Sequence, residues 1–274
     1  MVLGRRLGPF PGRLDADLVR AYAQATADPN AGPVAGSAVP PVAIVTQIWE
    51  AQSAAFAELV PQAVKGTMSG GVHGEHDVVL HRPIVPGEEL QTWVEATGCR
   101  RGGRHAIVTM HYGTHDSEGE LVAEQWWTTV LLGATAEPVG EPAPAHKVGA
   151  DVVLQPVGDH VVTVDEDMPR RYAEVSGDWS EHHFDVEAAR RTGFDRPFLH
   201  GLATMALCAQ GVVALAAGGD PDRVRRVAVR FAAPTFVGED VTVHVARADD
   251  RTITFTAESA GATVITDGLA ELRF

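Results

Sequence analysis

The sequence predicts an α+β fold built twice, each half a long apolar helix wrapped by an antiparallel sheet. Three observations carry that expectation. The stretch 82–90 (RPIVPGEEL) recurs 151 positions later as 233–241 (APTFVGEDV), with Pro83 and Pro234, Gly87 and Gly238, and Glu88 and Glu239 in register. Tyr22-Ala23 and Tyr172-Ala173 lie 150 apart and bring Thr26/Ser176, Ala27/Gly177 and Asp28/Asp178 with them. Each Pro-x-x-x-Gly turn then opens onto a period of two, Leu90, Thr92 and Val94 in one copy and Val241, Val243 and Val245 in the other, which gives a strand with one buried face. A repeat of this length decides the architecture before any single element does.

The elements follow in the same order in both halves. Helices are expected at 15–25 and 41–59, then at about 168–175 and 201–217. The longer member of each pair is rich in alanine with few charges, so it should be buried nearly all round. Four strands follow each: 75–84, 89–98, 104–115 and 120–132, then 224–233, 239–248, 251–259 and 262–273. The clearest is 251–257, where Ile253 and Phe255 alternate with three threonines. Between the copies, 133–149 is rich in Pro, Gly and Ala without periodicity and reads as a linker. The division is therefore 1–133 for the first repeat, 134–149 for the linker and 150–274 for the second repeat.

Composition bounds the function. Of 274 residues 45% are hydrophobic and 21% charged, which excludes a disordered or fibrous chain. Lys plus Arg is 22 against Asp plus Glu 36, a net charge of -14 that disfavours nucleic acid and anionic membrane surfaces as partners. Cys99 and Cys208 are too few and too far apart for a disulfide framework, so a reducing, cytoplasmic setting is expected. The first ten residues lack a signal-peptide core, and the most apolar run, 205–217, is interrupted by Gln210 and Gly211, so no membrane-crossing segment is expected. No GxGxxG, GxxxxGK[ST] or GxSxG occurs, which leaves nicotinamide and nucleotide enzymes with little support.

The dense cluster of reactive side chains is SGDWSEHHFD (176–185), followed by GFDRPFLHG (193–201), which ends at the apolar helix. This pattern resembles the MaoC-like family, the (R)-specific enoyl-CoA hydratases and related dehydratases. Tyr172, Ser176, Gly177, Asp178, His183, Asp185, Gly193, Phe194, Pro197, His200 and Gly201 stand where the family's signature asks. Ser180 and Glu181 depart from the usual Asn-Pro. The first half resembles the N-terminal repeat of double hot-dog members through Asp28-Pro29-Asn30, Pro40-Pro41, His73-Gly74-Glu75 and His81-Arg82-Pro83.

The resemblance implies a double hot-dog fold and a hydro-lyase that reversibly hydrates a trans-2-enoyl thioester, carried by coenzyme A or a carrier protein, to the (R)-3-hydroxyacyl thioester. It implies a catalytic dyad of Asp178 and His183, with the Gly201 backbone N–H donating to the thioester carbonyl. Trp179, Ser180, Pro197, His200 and Arg196 are the expected substrate contacts. No cofactor is expected beyond coenzyme A as part of the substrate. Chemistry agrees: the reaction needs a base for the attacking water, a proton for the α carbon and stabilisation of charge on the thioester oxygen. Gly201 opens the apolar helix, where unpaired N–H groups and the positive end of the dipole favour an oxyanion.

Alternatives attach to the same residues. Taken alone, a carboxylate five residues before a histidine in a polar loop is more often a surface pair or a helix cap; the eleven matching positions decide for the dyad. His182, His183, His200 and Asp185 offer an N/O donor set, and His73 and His76 a second pair, but strand residues three apart point to opposite faces, and no metal is expected. Trp49, Trp126 and Trp127 are expected in the core. Aligning Asp28 with Asp178 puts Pro33 opposite His183 and Ile44 near the place of His200, so the first repeat is expected to be catalytically degenerate and to shape the acyl-chain pocket. Arg190, Arg191, Arg196, Arg223, Arg225 and Arg226 are candidates for a basic rim. A hot-dog acyl-CoA thioesterase and a non-catalytic acyl-thioester binding subunit are the competing functions; a homodimer of such chains is a further option.

Overall fold

The structure, a computed structural model, describes residues 1–29 and 39–273. The first half runs β1 (Arg6–Arg13), α1 (Ala16–Ala25), a 3-10 turn (Ala43–Gln47), α2 (Trp49–Leu59), α3 (Gln62–Lys65), β2 (Gly70–Leu80), β3 (Glu89–Gly102), β4 (His105–Asp116) and β5 (Leu121–Leu132). After the short β6 (Val139–Gly140), the second half runs β7 (Gln155–Thr163), α4 (Met168–Ser176), α5 (Val186–Arg191), α6 (Gly201–Ala216), β8 (Val224–Phe231), β9 (Asp240–Arg247), β10 (Thr252–Ser259) and β11 (Ala262–Leu272). Asn30, part of the resemblance of the first half, and Pro33, aligned with His183, lie outside the described residues.

All strands join one sheet in the order β1-β3-β4-β5-β2-β8-β11-β10-β9-β7, with β6 added on β3. Read outward from the centre, the two halves have the same order, and the sheets meet through the antiparallel ladder of β2 with β8. In that ladder Asp77 faces Ala228, its own repeat mate, so a local two-fold axis passes through this pair. Tyr22 and Tyr172, also repeat mates, have ring centroids 6.0 Å apart where α1 packs on α4. This is the expected double hot dog.

The eight expected strands are present with ends shifted by a few residues, and each half has a fifth, at the sheet's outer edge. β1 and β7 carry Pro9, Pro11 and Pro156 and little alternation, because a strand paired on one side only tolerates proline and need not bury one face. The apolar run 41–59 is not one helix. Val42, Ile44, Val45, Thr46 and Ile48 are β-branched, and the chain passes through a buried 3-10 turn before α2 begins at Trp49. α2 buries Ala51, Ala55 and Leu59 but leaves Glu50, Ser53, Ala57 and Glu58 exposed, so only α6 is enclosed almost all round.

The connecting segment is not free of structure. Val139 and Gly140 pair with Cys99 and Gly98. Gly140 has φ +69°, and a Cβ there would stand 2.0 Å from the Thr97 carbonyl oxygen. Farther on, Ala145 accepts a hydrogen bond from Arg226 at 3.1 Å, and Lys147 pairs with Asp267 at 3.0 Å. Arg226 itself spans the central joint. Its Nε and Nη2 donate to the Asp77 carboxylate at 3.0 and 2.6 Å and its Nη1 to Glu271 at 3.0 Å. Burial pushes the Asp77 carboxyl above its ordinary pKa against the opposing pull of Arg226. Arg226 is thus tied into the sheet, contrary to its expected place on a basic rim.

Candidate active site

The loop 176–185 is shaped by its own side chains. Gly177 ends α4 with φ +77°, a left-handed position that favours glycine. The next residue, Asp178, folds its Oδ1 back to accept from Ser180 N at 3.1 Å and Ser180 Oγ at 2.5 Å. This Asx turn fixes the carboxylate and leaves Oδ2 for other partners. Asp185 accepts from Ala188 N at 2.7 Å and caps α5, so it serves structure and not the reacting group.

His183 is 6% exposed, and its Nδ1 bonds the Phe198 carbonyl at 2.8 Å. A carbonyl only accepts, so Nδ1 carries the proton and Nε2 keeps its lone pair, 3.9 Å from Asp178 Oδ2. Burial first, then His200 and His182, push the His183 pKa down to about 2, which keeps the ring neutral. His200 donates from Nε2 to the Asp178 backbone carbonyl at 2.9 Å and stacks on His183 with centroids 3.7 Å apart at 27°. It therefore holds the loop backbone and the plane of the His183 imidazole. Gly201 follows immediately at the start of α6, beside the ring of Phe231.

These groups line one end of a cavity of about 460 Å³. Asp178, Ser180, His183, His200 and Gly201 reach it, as do Tyr172 and Ser176. Trp179 does not. As the central residue of the Asx turn it points outward, 51% exposed and packed on Phe184 at 5.6 Å. Arg196 is held away by Glu239 at 3.1 Å and by the Phe236 ring at 4.2 Å, and Pro197 is outside the lining although Phe198 is in it. Of the other expected rim residues, Arg190 pairs with Glu187, Arg191 with Glu181 and Arg225 with Glu271, and Arg223 donates to the Ala217 carbonyl.

The first half supplies Trp49 and Phe56 from α2, Met68, Val72, and Trp127 from β5, and the second half adds Phe194, Phe198, Leu202 and Phe231. Trp127 lies in the core as expected and Trp49 packs against that core, and both also line the cavity; Trp126, on the opposite face of β5, lies against His111 at 4.8 Å, tilted by 32°. The histidine pair on β2 also differs from expectation. The register against β5 slips between His73 and Glu75, so Gly74 forms a bulge. The bulge turns His73 and His76 to the same side, with ring centroids 5.2 Å apart, and His73 lies flat on Trp127 at 3.8 Å and 2°. Burial holds both rings below the ordinary histidine pKa, His76 at about 4. The α2 stripe Trp49, Gln52, Phe56 has helical spacing i, i+3, i+7 and was legible in the sequence as one face.

Asp178, His183 and His200 each bring one donor atom within 4.8 Å of the others. One nitrogen of each ring is already engaged, His183 Nδ1 with the Phe198 carbonyl and His200 Nε2 with the Asp178 carbonyl. What the geometry offers is a neutral imidazole nitrogen and a carboxylate oxygen separated by the width of one bridging water, next to a helix N-terminus.

Known proteins similar to this chain cover both of its halves. The MaoC-like domain model matches residues 151–268, and the FAS1-like dehydratase-region model matches 1–125. An Arabidopsis thaliana protein named "Enoyl-CoA hydratase 2, peroxisomal" is 27% identical over 61% of this chain, and the match spans 57% of its own length. A Dictyostelium discoideum protein named "Probable enoyl-CoA hydratase 2" is 30% identical over 73% of this chain and 69% of its own. The crystal structure of a MaoC-like dehydratase from Phytophthora capsici superposes with a TM-score of 0.84 at 22% identity, covering 99% of this chain and 97% of that one. With its duplicated sheet, its Asp178–His183 pair at the tip of α6 and these matches over both halves, the chain belongs to the MaoC-like dehydratase family.

Proposed function

We propose that the chain is a hydro-lyase that reversibly adds water across the double bond of a trans-2-enoyl thioester, with coenzyme A or a carrier protein as the thiol, and forms the (R)-3-hydroxyacyl thioester. The observation that carries this reading is the 3.9 Å gap between Asp178 Oδ2 and His183 Nε2 in the wall of the cavity. A water in that gap meets two acceptors, so both of its hydrogens are held and its oxygen lone pair is turned to the β carbon. One of the pair takes a proton as the C–O bond forms, and the dyad returns a proton to the α carbon on the same face. The Gly201 N–H, at the positive end of α6, stabilises the enolate oxygen that develops between these steps. Reversal of the same transfers gives dehydration.

In this reading the first repeat contributes no acid or base. Its Trp49, Phe56, Met68, Val72 and Trp127 form the acyl compartment, which suits an apolar chain. Two buried free thiols, Cys99 and Cys208, fit a reducing compartment such as the cytoplasm, and no helix among the described residues is long and apolar enough to cross a membrane. The test is hydration of crotonyl-CoA by Asp178→Asn and His183→Ala. Each should lose roughly 10²–10⁴-fold in kcat/KM. Retention within about threefold of wild type would falsify the dyad. Release of free thiol from saturated acyl-CoA at a comparable rate would instead identify a thioesterase.

A further inference from the structure

Gln52 stands apart in the acyl compartment. It lies on the cavity-facing stripe of α2 between Trp49 and Phe56, and its carbonyl oxygen Oε1 accepts a hydrogen bond from Tyr112 Oη. Tyr112 is fully buried on β4, and burial pushes its phenol well above the ordinary range, so it stays a donor. Its hydroxyl has no other hydrogen-bond partner among the described residues. With the amide turned over, Nε2 would donate to the phenol oxygen but the buried phenol hydrogen would have no acceptor among the described residues, so the orientation with Oε1 on Tyr112 is favoured. The amide Nε2 is left as two N–H donors with no partner among the described residues, on a first-half lining that is otherwise apolar apart from His73 and Thr129.

The position of these donors follows from the helix. Trp49 packs on the catalytic loop, its Cδ1 3.5 Å from where a Cβ on Gly177 would be. With a rise of 1.5 Å per residue, Gln52 lies about 4.5 Å and Phe56 about 10.5 Å farther along α2. Thr129, opposite His73 in the β2–β5 ladder, adds a hydroxyl to the same wall.

Building on the reading of the site as an enoyl-thioester hydratase, we infer that Gln52 is a specificity residue and that the acyl compartment selects chains bearing a hydrogen-bond-accepting oxygen a few carbons beyond the reacting double bond. A plain alkyl chain strips water from the Gln52 amide and returns nothing; a carbonyl or hydroxyl oxygen at that depth satisfies it.

Titration calorimetry with saturated, unreactive thioesters reads this without the chemistry. Octanoyl-CoA is compared with its 5-, 6- and 7-oxo derivatives on the purified full chain. At least one oxo derivative should bind about threefold to tenfold tighter than octanoyl-CoA, the range of a single net hydrogen bond. In Gln52→Met the preference should reverse, and in Tyr112→Phe, where the amide is free to turn, it should shrink. If octanoyl-CoA binds wild type as tightly as all three oxo derivatives, if none of the four binds, or if Gln52→Met keeps the wild-type ratio, the inference is overturned. Crotonyl-CoA hydration, measured in parallel, reads the function separately. Failure there with the oxo preference intact removes the hydratase reading and leaves an oxygen-selective acyl-thioester site.

Discussion

Replacing Arg226 by methionine tests what holds the two halves together. The substitution removes Nε and Nη2 from the Asp77 carboxylate, Nη1 from Glu271 and a bond to the Ala145 carbonyl, while Asp77 stays 2% exposed at the central β2–β8 joint. Loss of one partner from a buried ion pair costs about 3–5 kcal/mol, because the remaining charge is neither solvated nor compensated. Against a typical domain stability of roughly 5–15 kcal/mol that is a large share. The penalty also has a pH signature. Without its cation Asp77 has a folded pKa raised above its unfolded value, so folding takes up a proton, and the penalty relative to wild type shrinks as pH falls toward the carboxylate range, by up to about 1.4 kcal/mol per unit. Paired substitution, Asp77→Leu with Arg226→Met, removes both charges and should restore stability to within about 1 kcal/mol of wild type or above it. Urea unfolding of wild type, Arg226→Met and the double variant at two pH values measures all of this. A cost below about 1 kcal/mol for Arg226→Met, or a double variant no better than the single, refutes the account of the joint.

Two other outcomes follow from the site. Ser180→Ala removes the hydroxyl that holds Asp178 Oδ1 and should lower kcat for crotonyl-CoA about tenfold with little change in KM, since it disturbs the carboxylate's aim and not the acyl pocket. Steady-state kinetics decides it, and an effect confined to KM would count against the positioning role. His76 and His183 have folded pKa values of about 4 and about 2, below the ordinary histidine value, so the unfolded chain binds more protons. Stability should be complete above about pH 6.5 and decline as pH falls below it, each ring contributing up to about 1.4 kcal/mol per unit. A melting temperature constant from pH 7 to 5 would contradict this, and His76→Gln should flatten the acid limb.

Most of the duplicated sheet was legible because its inner strands bury one face and so alternate, and because Pro83/Pro234 and Gly87/Gly238 mark equivalent turns. The edge strands β1 and β7 were not, since pairing on one side imposes no such pattern. A run of apolar residues also fails to tell a buried 3-10 turn from a helix, which is why 41–59 read as one element. In the site, the identities of Asp178, His183 and Gly201 were readable from spacing and resemblance, but their geometry was not. The bond from His183 Nδ1 to Phe198 and the Asx turn that throws Trp179 outward depend on backbone direction within a loop. Likewise the single extra residue at Gly74 reversed the expected sidedness of His73 and His76.

The salt bridge at the joint also determines which halves recognise each other. The repeat mates of Arg226 and Asp77 are Glu75 and Ala228, so the exchange Asp77–Arg226 has no counterpart on the other side of the axis. Two copies of the first half, joined through β2, would set Asp77 against Glu75, acid against acid. Two copies of the second half would leave the arginine facing an alanine. Backbone ladders alone accept either match; asymmetric contacts such as this one and Arg230–Glu75, 3.5 Å apart, favour the heterologous union, and with it a molecule that carries a single Asp178–His183 pair opposite a wall free to specialise for cargo.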